Sequence, residues 1–132
     1  MLSLTTKNRQ LVELFNGLQA VKDLQGVRFG LIVSKNIRII QQELNDIDEA
    51  SKPTDAFLEL SEKANKLHKD EEALIKLEDD NSKIVEERKA QLKGIDKLLE
   101  GDVKVELHTI GEDLLPEDIT AAQITGIDTL LK

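Results

Sequence analysis

Three basic residues and an asparagine in one short stretch of the chain have types and spacing that suit anion binding. Arg28, Lys35 and Arg38 lie within residues 27–40, which contain no acidic residue. On a helix, spacings of seven and three residues place the three cations in one stripe, with Asn36 beside them. Arginine and lysine hold phosphates through charge-assisted hydrogen bonds. The sequence therefore predicts a ligand-binding site formed by Arg28, Lys35, Asn36 and Arg38.

The same residues also have a purely structural interpretation. The segment after Pro53 is acidic, and its carboxylates, such as those of Glu59 and Glu62, are available to pair with the basic stripe. Exposed ion pairs contribute only about 0–1 kcal/mol each, although they help to select register and orientation. Asn36 lies beside an apolar seam, where a polar side chain can set the register of packed helices. Ligand binding and charge pairing therefore compete as interpretations.

Other chemically capable residues lie in patterns typical of exposed surface. Adjacent carboxylates such as Glu71-Glu72 and Glu86-Glu87 lie within polar runs, whereas a catalytic pair needs burial or a like-charge neighbour to separate its pKa values. His68 and Glu72 have the helical spacing of metal ligands, but they lie in a charged segment far in sequence from His108. Cysteine, a glycine-rich phosphate loop and an HExxH motif are absent. We predict a non-enzymatic protein with no catalytic residue, metal site or cofactor.

The amino-acid composition limits the fold classes and the kinds of partner that are possible. The chain has 132 residues, which fits a single domain, 1–132, and its only aromatic residues are three phenylalanines, so the core must be aliphatic. Abundant charged residues around an aliphatic core favour packed helices. No segment approaches the ~20 apolar residues of a membrane span, and the N-terminus lacks the apolar run of a signal peptide. We therefore expect a soluble, intracellular protein with no membrane partner.

The charge distribution is uneven. The formal net charge is −8, yet residues 1–42 carry six basic and two acidic side chains, so the remaining residues carry −12. An acidic chain repels nucleic-acid phosphates, and three phenylalanines offer little for base stacking. We therefore expect no nucleic acid among the partners. The asymmetry itself is typical either of a partner site or of two segments that neutralise each other.

Apolar spacing predicts two helices in the first 51 residues. The first spans about residues 7–24, with Asn16-Gly17 as a candidate kink. The second spans about residues 28–51 and carries a heptad seam. The seam consists of Val33, Ile37, Ile40, Leu44 and Ile47.

The chain stays helical in character from Pro53 to Glu100. Phe57, Ala64, Val85, Leu92 and Leu99 share one heptad phase, although a polar patch at residues 78–83 separates them. Two structures fit: a single helix of ~48 residues, about 70 Å long, or a hairpin that turns at residues 79–82. The preserved phase favours the single helix. A second helix of ~24 residues cannot cover one of ~48, so we predict a homo-oligomer.

Strand patterns occur near both ends of the chain. "LSLTT" alternates apolar and polar residues, and residues 102–110 do the same more clearly. We expect the two strands to pair, within one chain or between two. A capping-box pattern from Thr120 to Gln123 predicts a final helix at about 121–131 that buries Ile124, Ile127 and Leu130 or Leu131. The predicted fold is mainly α, with long antiparallel helices in a coiled-coil-like hairpin, a small β element and a short C-terminal helix.

Three segments resemble a family of small, largely uncharacterised tailed-bacteriophage proteins. They are "LVELFNGLQAVKDLQGVRFGLIVSKNIRIIQQELNDIDEASKP", "VKVELHTI" and "DLLPEDITAAQITGIDTLL". The resemblance covers both ends of the chain, and the central acidic segment carries little of it. It implies a phage or prophage origin and assigns no activity or functional residue.

Residues and resemblance together indicate a non-enzymatic phage accessory protein. We expect a helical homo-oligomer in the host bacterial cytoplasm that binds a host-derived anionic ligand, such as a nucleotide immune signal sequestered as a form of anti-defence. One alternative is a virion structural protein or an assembly scaffold, located in the virion and partnered by a phage protein. A second alternative is a direct protein inhibitor of a host enzyme, in which the acidic helix mimics nucleic acid.

Overall fold

The periodic apolar residues form six α-helices, and the two terminal strand patterns form one small sheet. The computed structural model describes residues 1–132. The elements are β1 (Leu2–Lys7), α1 (Asn8–Val21), α2 (Val27–Ser51), α3 (Asp55–Lys66), α4 (Glu71–Asp80), α5 (Ser82–Leu99), β2 (Asp102–Leu107) and α6 (Ala121–Ile127), with 3-10 helices at Glu112–Leu114 and Asp128–Leu130. The predicted mainly helical fold with a small sheet is confirmed.

The chain divides into two units. Unit 1 comprises Met1–Asp46 and Leu99–Lys132, and unit 2 comprises Ile47–Leu98. Unit 1 therefore contains the sheet, α1, most of α2 and the C-terminal elements. Unit 2 contains the end of α2 together with α3, α4 and nearly all of α5.

The sheet of unit 1 pairs β1 with β2 in antiparallel orientation within one chain. Its register runs from Leu2 opposite Leu107 to Lys7 opposite Asp102. Burial alternates along both strands, and Leu107 is fully buried. β2 ends at Leu107, three residues before the predicted end, and Ile110 instead forms an isolated bridge with Leu131. The predicted strand pairing is confirmed.

The core of unit 1 lies where α1, α2, β2 and the C-terminal segment meet. α1 contributes a stripe at helical spacing, and α2 contributes a second stripe opposite its exposed face. The buried apolar residues of these helices are Leu11, Leu14, Leu18, Val21, Phe29, Val33, Ile40 and Leu44. α1 continues as one helix through Asn16 and Gly17. A side chain at Gly17 would collide with the backbone of Gly126, and this close approach explains the glycine.

The C-terminal helix begins at the predicted capping box. Thr120 Oγ1 accepts a hydrogen bond from Gln123 N at 3.1 Å, and Thr120 N donates to Gln123 Oε1 at 2.9 Å. The helix ends at Ile127 and continues as a single 3-10 turn. Ile127 and Leu130 are fully buried, as their spacing predicted.

Unit 2 contains a helical hairpin, and the predicted single helix of ~48 residues was wrong. The chain leaves the helix at residues 67–69, and the side chain of Asp70 then caps α4 by accepting from Ala73 N at 3.1 Å. The hairpin reverses there, because α5 returns to the start of α3: Arg88 lies over the Phe57 ring at 5.4 Å.

The alternative turn at residues 79–82 was also wrong. Only Asn81 interrupts the helix between α4 and α5, and backbone hydrogen bonds continue on either side of it. Asn81 N donates to Leu77 O at 3.2 Å, and Val85 N donates to Asn81 O at 3.2 Å. These bonds follow the i to i−4 helical pattern, so the break is local and the heptad phase survives it.

Candidate anion-binding surface on α2

Helix α2 begins directly after Gly26, the only residue with a left-handed backbone conformation (φ 124°). Gly30 N donates to Gly26 O at 2.9 Å and closes the first turn. This first turn contains Arg28 and no acidic residue. The partial positive charge of the helix N-terminus is therefore added to the charge of Arg28 and is not compensated locally.

Arg28, Lys35 and Arg38 form a stripe on the exposed face of α2. At 3.6 residues per turn, Arg28 and Lys35 lie about 20° apart around the helix axis, and Arg38 lies about 60° from Lys35. The stripe is about 15 Å long at 1.5 Å rise per residue. All three side chains are exposed, whereas Phe29 and Val33 on the other face are buried. The stripe therefore faces away from the core of unit 1.

The cations of this stripe are not neutralised by carboxylates of the chain. The four ion pairs join Glu100 with Lys7 and with Arg9, Glu49 with Lys52, and Glu86 with Lys89. Arg38 makes one long hydrogen bond, from Nε to Ser34 O at 3.5 Å. The charge-pairing interpretation therefore has no ion pair to support it.

Arg38 also borders an open groove between the end of α1 and α2. This α1–α2 groove has a volume of about 660 Å³ and is lined by Gln19, Lys22, Asp23, Leu31, Ser34, Ile37 and Arg38. Two cations and one carboxylate thus lie around a depression with apolar walls from Leu31 and Ile37. A phosphate there would accept hydrogen bonds from Arg38 and Lys22.

Lys22 is the residue of this groove that sequence reasoning missed. It follows α1 directly, and the turn closed by the hydrogen bond from Leu24 N to Val21 O leads the chain back toward α2. The excess of basic residues in 1–42 included Lys22, but only the packing of α1 against α2 places it beside Arg38.

The structure does not bring Asn36 together with the three cations. Asn36 is fully buried, and it is the only buried polar residue of the chain. Its Nδ2 donates to His108 O at 2.9 Å, and its Oδ1 accepts from His108 N at 2.8 Å. The amide is therefore engaged by the backbone that follows β2, a contact that favours the register-setting interpretation of Asn36.

Titratable groups in the rest of the chain are dispersed. No three His, Cys, Asp or Glu side chains cluster as a metal site would require. His68 lies in the turn after α3, with Nδ1 at 2.8 Å from Asn65 O, and does not share a helix with Glu72. Hydrogen bonds and charge from Lys7 and then Arg9 hold the pKa of Glu100 below its usual value of 4.5. This trio is an exposed surface cluster.

Unit 2 contains a second, apolar surface. A groove of about 480 Å³ lies between α3 and the helices α4 and α5. We call it the hairpin groove; its lining residues are Phe57, Leu60, Ser61, Ala64, Leu74, Leu77, Glu78, Val85, Arg88, Lys89 and Leu92. Leu60 is the only buried residue of α3, and α4 and α5 contain none. The apolar seam of the hairpin is therefore open to solvent.

None of the helices combines the length and the hydropathy needed to cross a membrane. Comparisons of the chain with models of protein families, with curated proteins and with solved structures found no match. The resemblance to small phage proteins therefore stays a prediction.

Proposed function

We propose that the protein is a non-enzymatic, self-associating phage or prophage protein that holds a small anionic ligand on the exposed face of α2. The observation that carries this proposal is the basic stripe: Arg28, Lys35 and Arg38 are exposed and outside every ion pair of a chain with net charge −8. The phage origin rests on the sequence resemblance alone. The ligand class is a phosphate-containing nucleotide of the host cytoplasm, held stoichiometrically without turnover.

The α1–α2 groove supports a nucleotide better than an inorganic ion. Arg38 and Lys22 supply donors for a phosphate, and the guanidinium of Arg38 suits bidentate contact. Leu31 is 55% exposed beside them and offers an apolar surface for a base or ribose. Arg28 and Lys35 extend the positive charge along α2, which suits a ligand with more than one phosphate.

Isothermal titration calorimetry tests this function. A panel of cyclic and ADP-ribose-derived nucleotides is titrated into the wild-type protein and into the variants Arg38→Ala and Lys22→Ala. We expect one nucleotide class to give saturable heat, and each variant to weaken its affinity about tenfold or more, because each removes a charge-assisted hydrogen bond. Lys104→Ala is the matched control, since Lys104 is an exposed cation of β2 outside the groove. No heat from any nucleotide, or equal loss in the control, would contradict the proposal.

A second candidate function, a virion structural or assembly protein, is supported by the hairpin groove. Its open apolar seam and the exposed side chain of Ile75 are features of helices that pack on another protein. Mass spectrometry of purified virions from a phage that encodes the protein tests this role. Stoichiometric recovery of the protein with capsid or tail proteins would favour it over ligand sequestration.

A further inference from the structure

The hairpin groove of unit 2 is an incomplete helical core. α4 and α5 together contain 28 residues, and none of them is buried. Amphipathic helices obtain most of their stability from packing of the apolar face, which here lines an open groove. Leu92, on the groove, is 46% exposed. The apolar residues of the hairpin groove are therefore only partly covered within one chain, as is typical of a surface that packs against a partner.

The charges at the rim of the groove have opposite signs at its two ends. Glu78 lies near the C-terminal end of α4, and Arg88 and Lys89 lie further along, on α5, toward the start of α3. Eleven residues separate Glu78 from Lys89, which corresponds to about 16 Å along the helix axis. Glu78 belongs to no ion pair, and Lys89 has only a 3.7 Å pair with the exposed Glu86. Both charges are therefore available to a partner.

We propose that a second copy of this chain covers the hairpin groove, antiparallel across a twofold axis, so that Glu78 of each copy faces the partner's Lys89. A twofold axis midway between the two residues makes the surface complementary to itself, since it places the acidic end of one groove against the basic end of the other. The apolar residues of each groove, among them Leu77 and Val85, then pack across the axis against the groove of the second copy.

This inference deepens the self-association in the proposed function by naming its surface, and it does not involve the cations of α2. Two hairpins joined in this way form a four-helix arrangement, the usual solution for helices with one apolar stripe each. Other proteins with a basic and an acidic patch on an apolar helix would be competing occupants. The self-complementary placement of Glu78 and Lys89 favours the chain itself.

Sedimentation equilibrium with charge-reversal variants tests the proposal. We expect the wild-type protein to reach twice its 14.8 kDa chain mass. Glu78→Lys and Lys89→Glu should each raise the dimer dissociation constant about tenfold or more, because each places like charges together at two symmetric positions. The double variant should return to within about threefold of wild type. Glu59→Lys and Lys76→Glu, exposed on α3 and α4 outside the groove, are the matched controls.

Disulfide cross-linking provides a second measurement that does not depend on charge. The chain has no cysteine, so a single Ser82→Cys variant carries one thiol close to the proposed axis. Mild oxidation should give a covalent dimer rapidly for Ser82→Cys and slowly for Glu59→Cys. A monomer at protein concentrations up to about 0.1 mM, or a dimer that neither reversal weakens, would overturn the proposal. Nucleotide calorimetry on the same variants separates this failure from a failure of the ligand site.

Discussion

Asn36 and His108 exchange two hydrogen bonds, in which the Asn36 side-chain amide occupies the place of a neighbouring strand. The Asn36 donor lies 2.9 Å from His108 O, and the His108 N–H lies 2.8 Å from Asn36 Oδ1. His108 directly follows the last residue of β2, where the ladder with β1 has ended. The buried amide therefore satisfies backbone groups that lack a strand partner and fixes α2 to the end of the sheet.

Asn36→Leu should destabilise unit 1 strongly. The substitution keeps a side chain of similar size but leaves the N–H and C=O of His108 without their partner in the interior. Unsatisfied buried groups of this kind cost about 2–4 kcal/mol for the pair. Urea unfolding followed by circular dichroism measures the change. Asn45→Leu is the control, since Asn45 lies on the exposed face of the same helix. A loss in Asn36→Leu no larger than in this control would contradict the structural role.

Periodicity made most of the fold predictable. The apolar stripes of α1 and α2, the alternation of β1 and β2 and the Thr120 capping box all act locally, so their signals are present in short windows of sequence. The hairpin turn at residues 67–69 was missed because it contains neither glycine nor proline. Its clearest signal was Asp70, which caps α4. The alternative turn predicted at residues 79–82 was wrong because its polar residues only interrupt the helix at Asn81, and the chain does not reverse there.

The candidate site was less predictable than the fold. The sequence placed Arg28, Lys35 and Arg38 on one helical face, since that depends only on spacing along α2. The separation of Asn36 from them is decided by which face of α2 meets β2, and the addition of Lys22 is decided by how α1 meets α2. Both are tertiary relationships that a single sequence without structural context does not encode in any short pattern.

Gly17→Ala should destabilise unit 1, because α1 and α6 approach each other too closely for a side chain there. A Cβ at Gly17 would lie 2.7 Å from the carbonyl carbon of Gly126, and backbone cannot move aside as a flexible side chain would. We expect a loss of about 3 kcal/mol, at the upper end for overpacking. Gly126→Ala should cost less, since its Cβ would lie 3.2 Å from Gly17 Cα.

Gly94→Ala is the matched substitution for this prediction, and thermal unfolding measures all three variants. Nothing lies within 4 Å of a Cβ at Gly94, which is on α5. Alanine there should stabilise the protein by up to about 1 kcal/mol through its higher helix propensity. If Gly17→Ala and Gly94→Ala shifted the melting temperature in the same direction, the close approach of Gly17 and Gly126 would be refuted.

The Glu100 cluster should give a small pH-dependent contribution to the stability of unit 1. Lys7 Nζ and Arg9 Nε lie 3.0 and 2.9 Å from the two carboxylate oxygens, and they lower the pKa of Glu100 from its usual 4.5. A carboxyl group whose pKa is lower in the folded state than in the unfolded state stabilises the fold, and this contribution is complete at pH values above the unfolded-state pKa. That contribution disappears as the pH falls through the lower, folded-state value.

Glu100→Gln should therefore be less stable than wild type at neutral pH, and the two proteins should converge as the pH falls from 4.5 through the lower, folded-state pKa of Glu100. Added salt should also reduce the difference, because both cations are exposed. Urea unfolding across a pH series measures both effects. Glu106→Gln is the control, since Glu106 is exposed on β2 and belongs to no ion pair. A gap between Glu100→Gln and wild type that grew toward acid would contradict this account.

Arg88 and Gln91 of α5 bind the backbone carbonyl groups at the end of α2, so Arg88→Met should loosen this helix end. Arg88 Nη1 donates to Ser51 O at 2.9 Å, and Gln91 Nε2 donates to Ala50 O and Lys52 O at 2.6 and 2.8 Å. The last carbonyl groups of a helix have no partner within the helix itself, so these side chains act as its C-terminal cap.

Arg88 also holds Gln91 in place, with Nη1 2.8 Å from Gln91 Oε1, and lies over the Phe57 ring. Arg88→Met keeps the apolar stem but removes all three polar contacts, and we expect a loss of about 2 kcal/mol. A glutamate-specific protease should then cut after Glu49 several times faster, because this helix end opens more often. Lys93→Met, an exposed cation of α5, is the control. Equal cleavage rates after Glu49 in the two variants would show that Arg88 does not cap α2.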